Sequence, residues 1–214
     1  MIKDAKHFNI YNRGGKRVFD LVLSTMALII LGPLFVLLAI IIRIRLGSPV
    51  LFKQERLGLG GQPFKIRKFR TMTDARDDSG NLLPDAKRLT KLGKFVRATS
   101  LDELPELINI LRGEMSLVGP RPLHSYYRDR YTPHQFRRHE ILPGLTGWAQ
   151  VNGRNALSWE QKFDLDVWYV DHRSARLDLK ILALTGWKII KREGVIQPGE
   201  ATMEEFKGSL HKGA

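Results

Sequence analysis

Hydrophobic and polar positions are spread unevenly along this chain. Residues 21–42 carry no charged side chain, while Lys16 and Arg17 precede them and Arg43, Arg45 and Lys53 follow. As a helix this run is roughly 33 Å long at about 1.5 Å per residue, enough to cross a hydrocarbon core of about 30 Å. Gly32-Pro33 falls in its middle. Proline lacks the backbone donor and clashes with the carbonyl four residues back, so a helix broken at Pro33 is expected. Ser24 and Thr25 are close enough to satisfy freed carbonyls. Positive charge is retained on the cytoplasmic side of a membrane, and here it lies on both flanks. A re-entrant segment that dips in and returns is therefore the expected form, with a kinked single span as its main competitor. A signal peptide fits less well, since the run exceeds a usual core of about 7–15 residues and no small-x-small site follows. A buried core helix seldom stays uncharged for so long.

Beyond the run the pattern changes. Residues 49–52 read as a short strand, 57–63 as Gly-rich turn chemistry, and 64–72 as a second strand alternating Phe64, Ile66 and Phe69 with basic residues, together a β-hairpin. Residues 73–84 are an acidic, polar loop. Helical patterns are expected over 86–96, 102–112 and 123–139, the last interrupted near Pro133, with 119–122 a rigid break between them. Residues 142–155, rich in Gly and Pro, read as a structured loop, and 158–172 as a helix capped by Ser158. Residues 177–192 are amphipathic, suiting either a surface helix on the core or one lying in a membrane interface. The fold class is α+β: a mostly helical, small membrane-associated domain with a short β-hairpin and an N-terminal re-entrant helix. The expected organisation is a loosely held basic segment (1–15), the membrane segment (16–46), a cytoplasmic catalytic domain with interfacial helices (47–200) and a C-terminal tail (201–214).

Composition narrows the chemistry. With no cysteine, the chain forms no disulfide framework, thiolate zinc site or cysteine nucleophile. A formal charge of +13 suits anionic lipid, phosphorylated substrates or nucleic acid, and the apolar run tilts the choice towards an anionic lipid bilayer. No dinucleotide fingerprint, Walker-type loop or HExxH spacing is present.

Asp102-Glu103, in the stretch Arg97-Ala-Thr-Ser-Leu-Asp-Glu-Leu-Pro-Glu, could bind Mg²⁺, attack phosphorus or do both. The bland alternative is a capping box of Ser100 and Glu103, but Pro105 would then fall too deep in the helix. A helix beginning near Asp102 places Pro105 in the tolerant first turn. Lys68, Arg70, Arg97, Arg121 and Arg154 are candidate phosphate ligands, arginine in a two-pronged geometry and lysine as a point charge. Each alone is more often a solvated residue, and the cluster acquires meaning only if the fold assembles it. Asp164 and Asp166 are two apart and so face different sides of a helix, one available for function and one for solvent. Trp148, Trp159 and Trp168 are more often anchors than ligand platforms.

Five motifs in order carry a resemblance. Lys16-Arg17-Val-Phe-Asp20, Lys68-Phe-Arg-Thr-Met72, Ser100-Leu-Asp-Glu-Leu-Pro105, Met115-Ser-Leu-Val-Gly-Pro-Arg-Pro122 and Pro143-Gly-Leu-Thr-Gly-Trp-Ala-Gln-Val-Asn-Gly-Arg154 resemble the bacterial sugar transferases, the monotopic phosphoglycosyl transferases. The similarity runs over residues 16–207 and is greatest to the short forms that initiate bacterial protein N-glycosylation. The resemblance implies a re-entrant helix, with Gly32-Pro33 standing where short members often have Ser-Pro. It implies that Asp102 attacks the β-phosphate of a UDP-sugar, that UMP leaves, and that polyprenol phosphate receives the sugar phosphate. It also implies Mg²⁺ as cofactor on Glu103 with Asp102, and substrate contacts by Lys68, Arg97, Arg121, Asp166 and the motif residue Arg154. It places the chain at the bacterial inner membrane with its catalytic domain on the cytoplasmic face. Glu114 departs from the family's usual aspartate. A membrane-anchored nucleic-acid-binding or scaffolding protein is the alternative from another class, and no RNA-binding aromatic motif or DNA-reading helix supports it. A glycosyltransferase releasing UDP is a further alternative. The sequence sets neither the sugar nor the oligomeric state.

Overall fold

The computed structural model describes residues 11–153, 156–191 and 205–208 of the 214-residue chain. A π-helical turn at Tyr11–Gly15 leads into α1 (Lys16–Leu46). The hairpin follows, β1 (Leu51–Leu57) against β2 (Pro63–Phe69), antiparallel with Arg56 opposite Phe64 and Phe52 opposite Lys68. Then come α2 (Asp85–Arg88), α3 (Lys91–Ala98), a 3₁₀ turn (Leu101–Glu103) and α4 (Glu106–Leu111). β3 (Ser116–Val118) pairs in parallel with β4 (Gly144–Thr146), and the connection between them holds the 3₁₀ segment Ser125–Arg130 and α5 (Pro133–Phe136). α6 (Trp148–Val151), α7 (Trp159–His172) and α8 (Ala175–Lys191) complete the order.

α1 is one helical element through Pro33, with no non-helical residue between its two halves. The proline forfeits only the bond to the carbonyl of Ile29, and neighbouring turns hold the rest. Ser24 does not serve that carbonyl, its hydroxyl being buried without a hydrogen-bond partner among the described residues. The helix is long and apolar enough to cross a membrane. Its two halves pack on the same domain. Phe19, Leu23, Ala27 and Leu28 meet the main core of Ile66, Leu107, Ile110, Val118 and Tyr169, while Phe35, Leu38 and Ile42 meet Phe69 and Val96. The opposite side stays bare, with Met26, Ile29, Ile30, Val36, Leu37, Ile40 and Ile44 each more than half exposed.

Polar contacts fasten both ends of α1. Arg17 donates to the carbonyls of Ile110 and Leu111, and the Asp20 carboxylate accepts the Leu117 N–H at 3.1 Å. At the far end Arg70 donates to the Leu46 and Ser48 carbonyls, so this candidate phosphate ligand is a clasp between helix and hairpin.

Two further expectations about element bounds are corrected. Residues 86–96 form two short helices because Leu89 is extended. Ser100 makes no side-chain cap, and α4 starts only after Pro105. The C-terminal tail is anchored within its described part: Phe206 is 2% exposed, and its ring stacks on Tyr131 and meets Phe163 edge-on. In the N-terminal segment Tyr11 is likewise held, its hydroxyl donating to Asp178. α7 begins as expected, with Ser158 and Gln161 forming a capping box. α8 buries Ile181 and leaves Leu179 and Trp187 more than half exposed beside Lys188 and Lys191.

Candidate active site

Strand alternation builds one wall of a cavity. Successive side chains of a strand face opposite ways, so Phe52, Gln54 and Arg56 of β1 line the same space as Lys68 of β2 and Arg70 just beyond its end. Ser100 supplies the opposite wall. It adopts a left-handed φ of 56°, which costs a non-glycine residue on the order of 1 kcal/mol or more and redirects the chain so that Asp102 and Glu103 line the cavity. Arg121, from the Pro-Arg-Pro break after β3, and Arg138 and Asp166, from the segments packed under it, line the remainder. The cavity encloses about 730 Å³, within the range of small-molecule sites.

Seven residues expected at a site are thus brought together: Lys68, Arg70, Arg97, Asp102, Glu103, Arg121 and Asp166. Arg154 lies outside the described residues. Gly32 and Pro33 sit on α1 and do not line the cavity. Glu114 is elsewhere, tying Arg67 at 3.0 Å and Asn109 at 2.6 Å, so its departure from the family pattern leaves the site untouched. Asp164 is solvent-exposed, its carboxylate 3.6 Å from His134.

The adjacent carboxylates are treated differently. Glu103 Oε1 accepts from Lys68 at 2.5 Å and from Arg121 at 2.8 Å. Burial works against its charge, but these two cations prevail and hold it well below the usual carboxylate range. No described residue donates a hydrogen bond to Asp102. Burial, with the Glu103 charge beside it, raises its carboxyl to about 6. Two neighbouring acids pushed apart in this way are suited to different tasks. Glu106, one turn further on, is 2% exposed, and burial raises it to about 7. Its Oε1 lies 3.1 Å from Lys68 without hydrogen-bond geometry.

Asp166 is buried and gripped by Arg138, which donates to it at 2.8 and 3.1 Å and to the Arg121 carbonyl at 2.7 Å. Asp166 therefore reaches the site as the anchor of an arginine that fixes the Arg121 backbone. Arg97 donates to the Thr71 hydroxyl at 3.0 Å.

Magnesium suits the donor set. Both cations on Glu103 bond Oε1, so Oε2 and the Asp102 carboxylate are hard oxygen donors left open to the cavity. The described residues hold no group of three or more His, Asp or Glu side chains able to bind a metal. Magnesium held by one or two carboxylates and substrate phosphates needs no such group.

Sequence reasoning missed Arg56, Arg138, His124, Tyr127 and Trp159 as walls of the cavity, and Glu106 buried against Lys68. Glu106 was one helical turn from the dyad. Extending the first strand past Phe52 would have exposed the alternation that ends at Arg56.

A helix long and apolar enough to cross a membrane is thus fastened beside a cavity lined by arginines, a lysine and the Asp102 carboxylate. The sequence profile of the family described as bacterial sugar transferase matches residues 11–192, and the chain belongs to that family. It is 56% identical over 194 residues to a Bacillus subtilis (strain 168) protein called uncharacterized sugar transferase EpsL, spanning 91% of this chain and 96% of that protein. It is 38% identical over 187 residues to the UDP-glucose:undecaprenyl-phosphate glucose-1-phosphate transferase of Escherichia coli (strain K12), covering 83% of this chain and 40% of that one. Identity to the undecaprenyl-phosphate galactose phosphotransferase of Salmonella typhimurium (strain LT2) is 37% over 196 residues, covering 84% and 41%. The chain spans about two-fifths of the length of the latter two relatives.

Proposed function

We propose that this protein transfers a sugar-1-phosphate from a UDP-sugar to undecaprenyl phosphate, with release of UMP, as the first membrane step of bacterial glycoconjugate assembly. The observation that carries this reading is the pairing of a cavity-facing Asp102, without a hydrogen-bond donor among the described residues, with a Glu103 held through one oxygen by Lys68 and Arg121. The relatives' names supply the donor and acceptor classes.

In the first half-reaction an Asp102 carboxylate oxygen attacks the β-phosphorus. The bond from that phosphorus to the bridging oxygen breaks, and its electron pair leaves with UMP. In the second, an oxygen of the lipid phosphate attacks the same phosphorus and the bond to Asp102 breaks, restoring the carboxylate and forming the diphosphate. Phosphoryl transfer asks the protein mainly for positioning and charge stabilisation, which Lys68, Arg97 and Arg121 supply. A carboxylate nucleophile divides the transfer into two steps, so the soluble donor and the lipid acceptor use one site in turn. Asp102 and Glu103 are the residues that would hold Mg²⁺, which when bound would offset the charge of the phosphates.

In this reading α1 bends at Pro33 without losing its helical continuity, and so enters and leaves by one face of the inner membrane, with the catalytic domain cytoplasmic. Support comes from the packing of both halves on the same domain and from basic residues on both flanks.

The test is UMP release by the detergent-solubilised protein with undecaprenyl phosphate, Mg²⁺ and a panel of UDP-sugars. Wild type should release UMP with one of them, and Asp102→Asn should not. UDP as the product, or an active Asp102→Asn, overturns the mechanism. For the topology, cysteines placed near Lys16 and near Gly47 should both label from the cytoplasm. Labelling of one only from outside means that α1 spans.

A further inference from the structure

The charges in the cavity do not all cancel. Lys68 and Arg121 share Glu103, and Arg138 is matched by Asp166. Arg56 is different. Its one hydrogen bond runs to the neutral carboxamide of Gln54, and its Nε is buried without a partner. No carboxylate of the described residues lies within ion-pair distance of it. Its position is also distinctive. Arg56 is six residues along β1 from Val50, whose carbonyl accepts the Arg70 N–H at the α1 end of the cavity. At about 3.4 Å per residue that is ~20 Å. The membrane helix therefore adjoins one end, and Arg56 stands towards the other, where its backbone bridges to His124 next to Tyr127.

We infer that Arg56 binds the phosphate of the departing nucleotide, so that the donor lies with its nucleoside away from α1 and its sugar phosphate at Asp102. This rests on the reading above that a nucleoside diphosphate is split there. As the bridging bond breaks, its electron pair settles on the α-phosphate oxygen, and the product is a phosphate monoester needing no proton from the protein. A guanidinium answers that new charge with paired N–H donors. The like charge of Arg121 and burial lower Arg56 only to about 10, so it remains cationic at neutral pH. The two ends of the cavity then serve the two substrates: the lipid phosphate arrives from the α1 side without crossing the nucleotide's path.

Calorimetric binding of UMP and of uridine to the full-length protein in lipid nanodiscs tests this, with wild type, Arg56→Gln and Arg56→Lys compared. Arg56→Gln should weaken UMP at least tenfold and leave uridine unchanged, and Arg56→Lys should recover part of the loss. Equal UMP affinity in wild type and Arg56→Gln overturns the inference alone. Loss of uridine together with UMP also overturns it, since the residue would then be shaping the pocket. A wild type that neither binds UMP nor releases it from any UDP-sugar overturns the donor reading underneath.

Discussion

Two carboxylates, Asp178 buried at the root of α1 and Asp102 half-buried in the cavity, show how the same group becomes glue in one place and chemistry in another. Asp178 is fully buried, and both oxygens are taken: Tyr169 donates to one at 2.5 Å, and Lys16 and Tyr11 to the other at 2.6 and 2.5 Å. Those donors come from the N-terminal turn, α1 and α7, so one side chain on α8 knots four segments. Asp102 has no donor among the described residues and opens onto a cavity lined with cations. Burying an ion is costly unless its lone pairs are filled. At Asp178 the protein fills them, whereas at Asp102 they are left for a substrate.

The contrast is broken most severely at Asp102. Asp102→Asn is nearly isosteric and removes the attacking oxygen, so UMP release should fall at least about a thousandfold, as nucleophile deletions do. Its melting temperature should stay within about 2 °C of wild type, because the side chain satisfies no partner. A destabilised variant, or one with ordinary turnover, would dissolve the distinction.

Asp178→Ala should do the reverse. Removing one member of a buried ion pair typically costs about 3–5 kcal/mol, since Lys16 and two tyrosine hydroxyls lose their acceptor. Thermal or denaturant unfolding in detergent should show that loss, while activity per folded molecule stays within about threefold of wild type. A collapse of activity without a loss of stability would place Asp178 in the chemistry.

Legibility follows the range of the interactions. α7 could be read because its cap, its period and its polar face lie within fifteen consecutive residues. The hairpin was legible in kind but not in register, since Lys53 and Glu55 look like the end of a strand when they are its exposed edge. The parallel β3–β4 pair was not legible, because each strand is three residues long and its partner lies across a long connection. Phe206 gave no local sign either, since its aromatic neighbours all come from the 127–163 region. Of the site, the Asp-Glu dyad and the cationic positions could be suspected one by one, but their convergence is a tertiary fact. At Pro33 the local rule acts within one helical element: a single hydrogen bond is lost while the turns on either side keep theirs.

The mildest test of the contrast uses pH. A nucleophilic carboxylate must be ionised, and burial and Glu103 have raised Asp102 to about 6. As pH falls through that value the ionised fraction drops, so kcat/KM should decline about tenfold per pH unit below it and level off above. The histidines of this region do not account for such a limb. Burial and Arg56 lower His124 to about 4, and burial and Arg138 lower His139 to about 3. Glu106, buried against Lys68 and raised by burial to about 7, is a rival, and Glu106→Gln separates the two. If the acid limb near 6 persists in that variant, the ionisation belongs to Asp102. If it vanishes, Glu106 must be charged for turnover, and the free carboxylate of the comparison is a different one. Asp178 gives the matching control: both its oxygens are already occupied, so Asp178→Ala should leave the limb where it was.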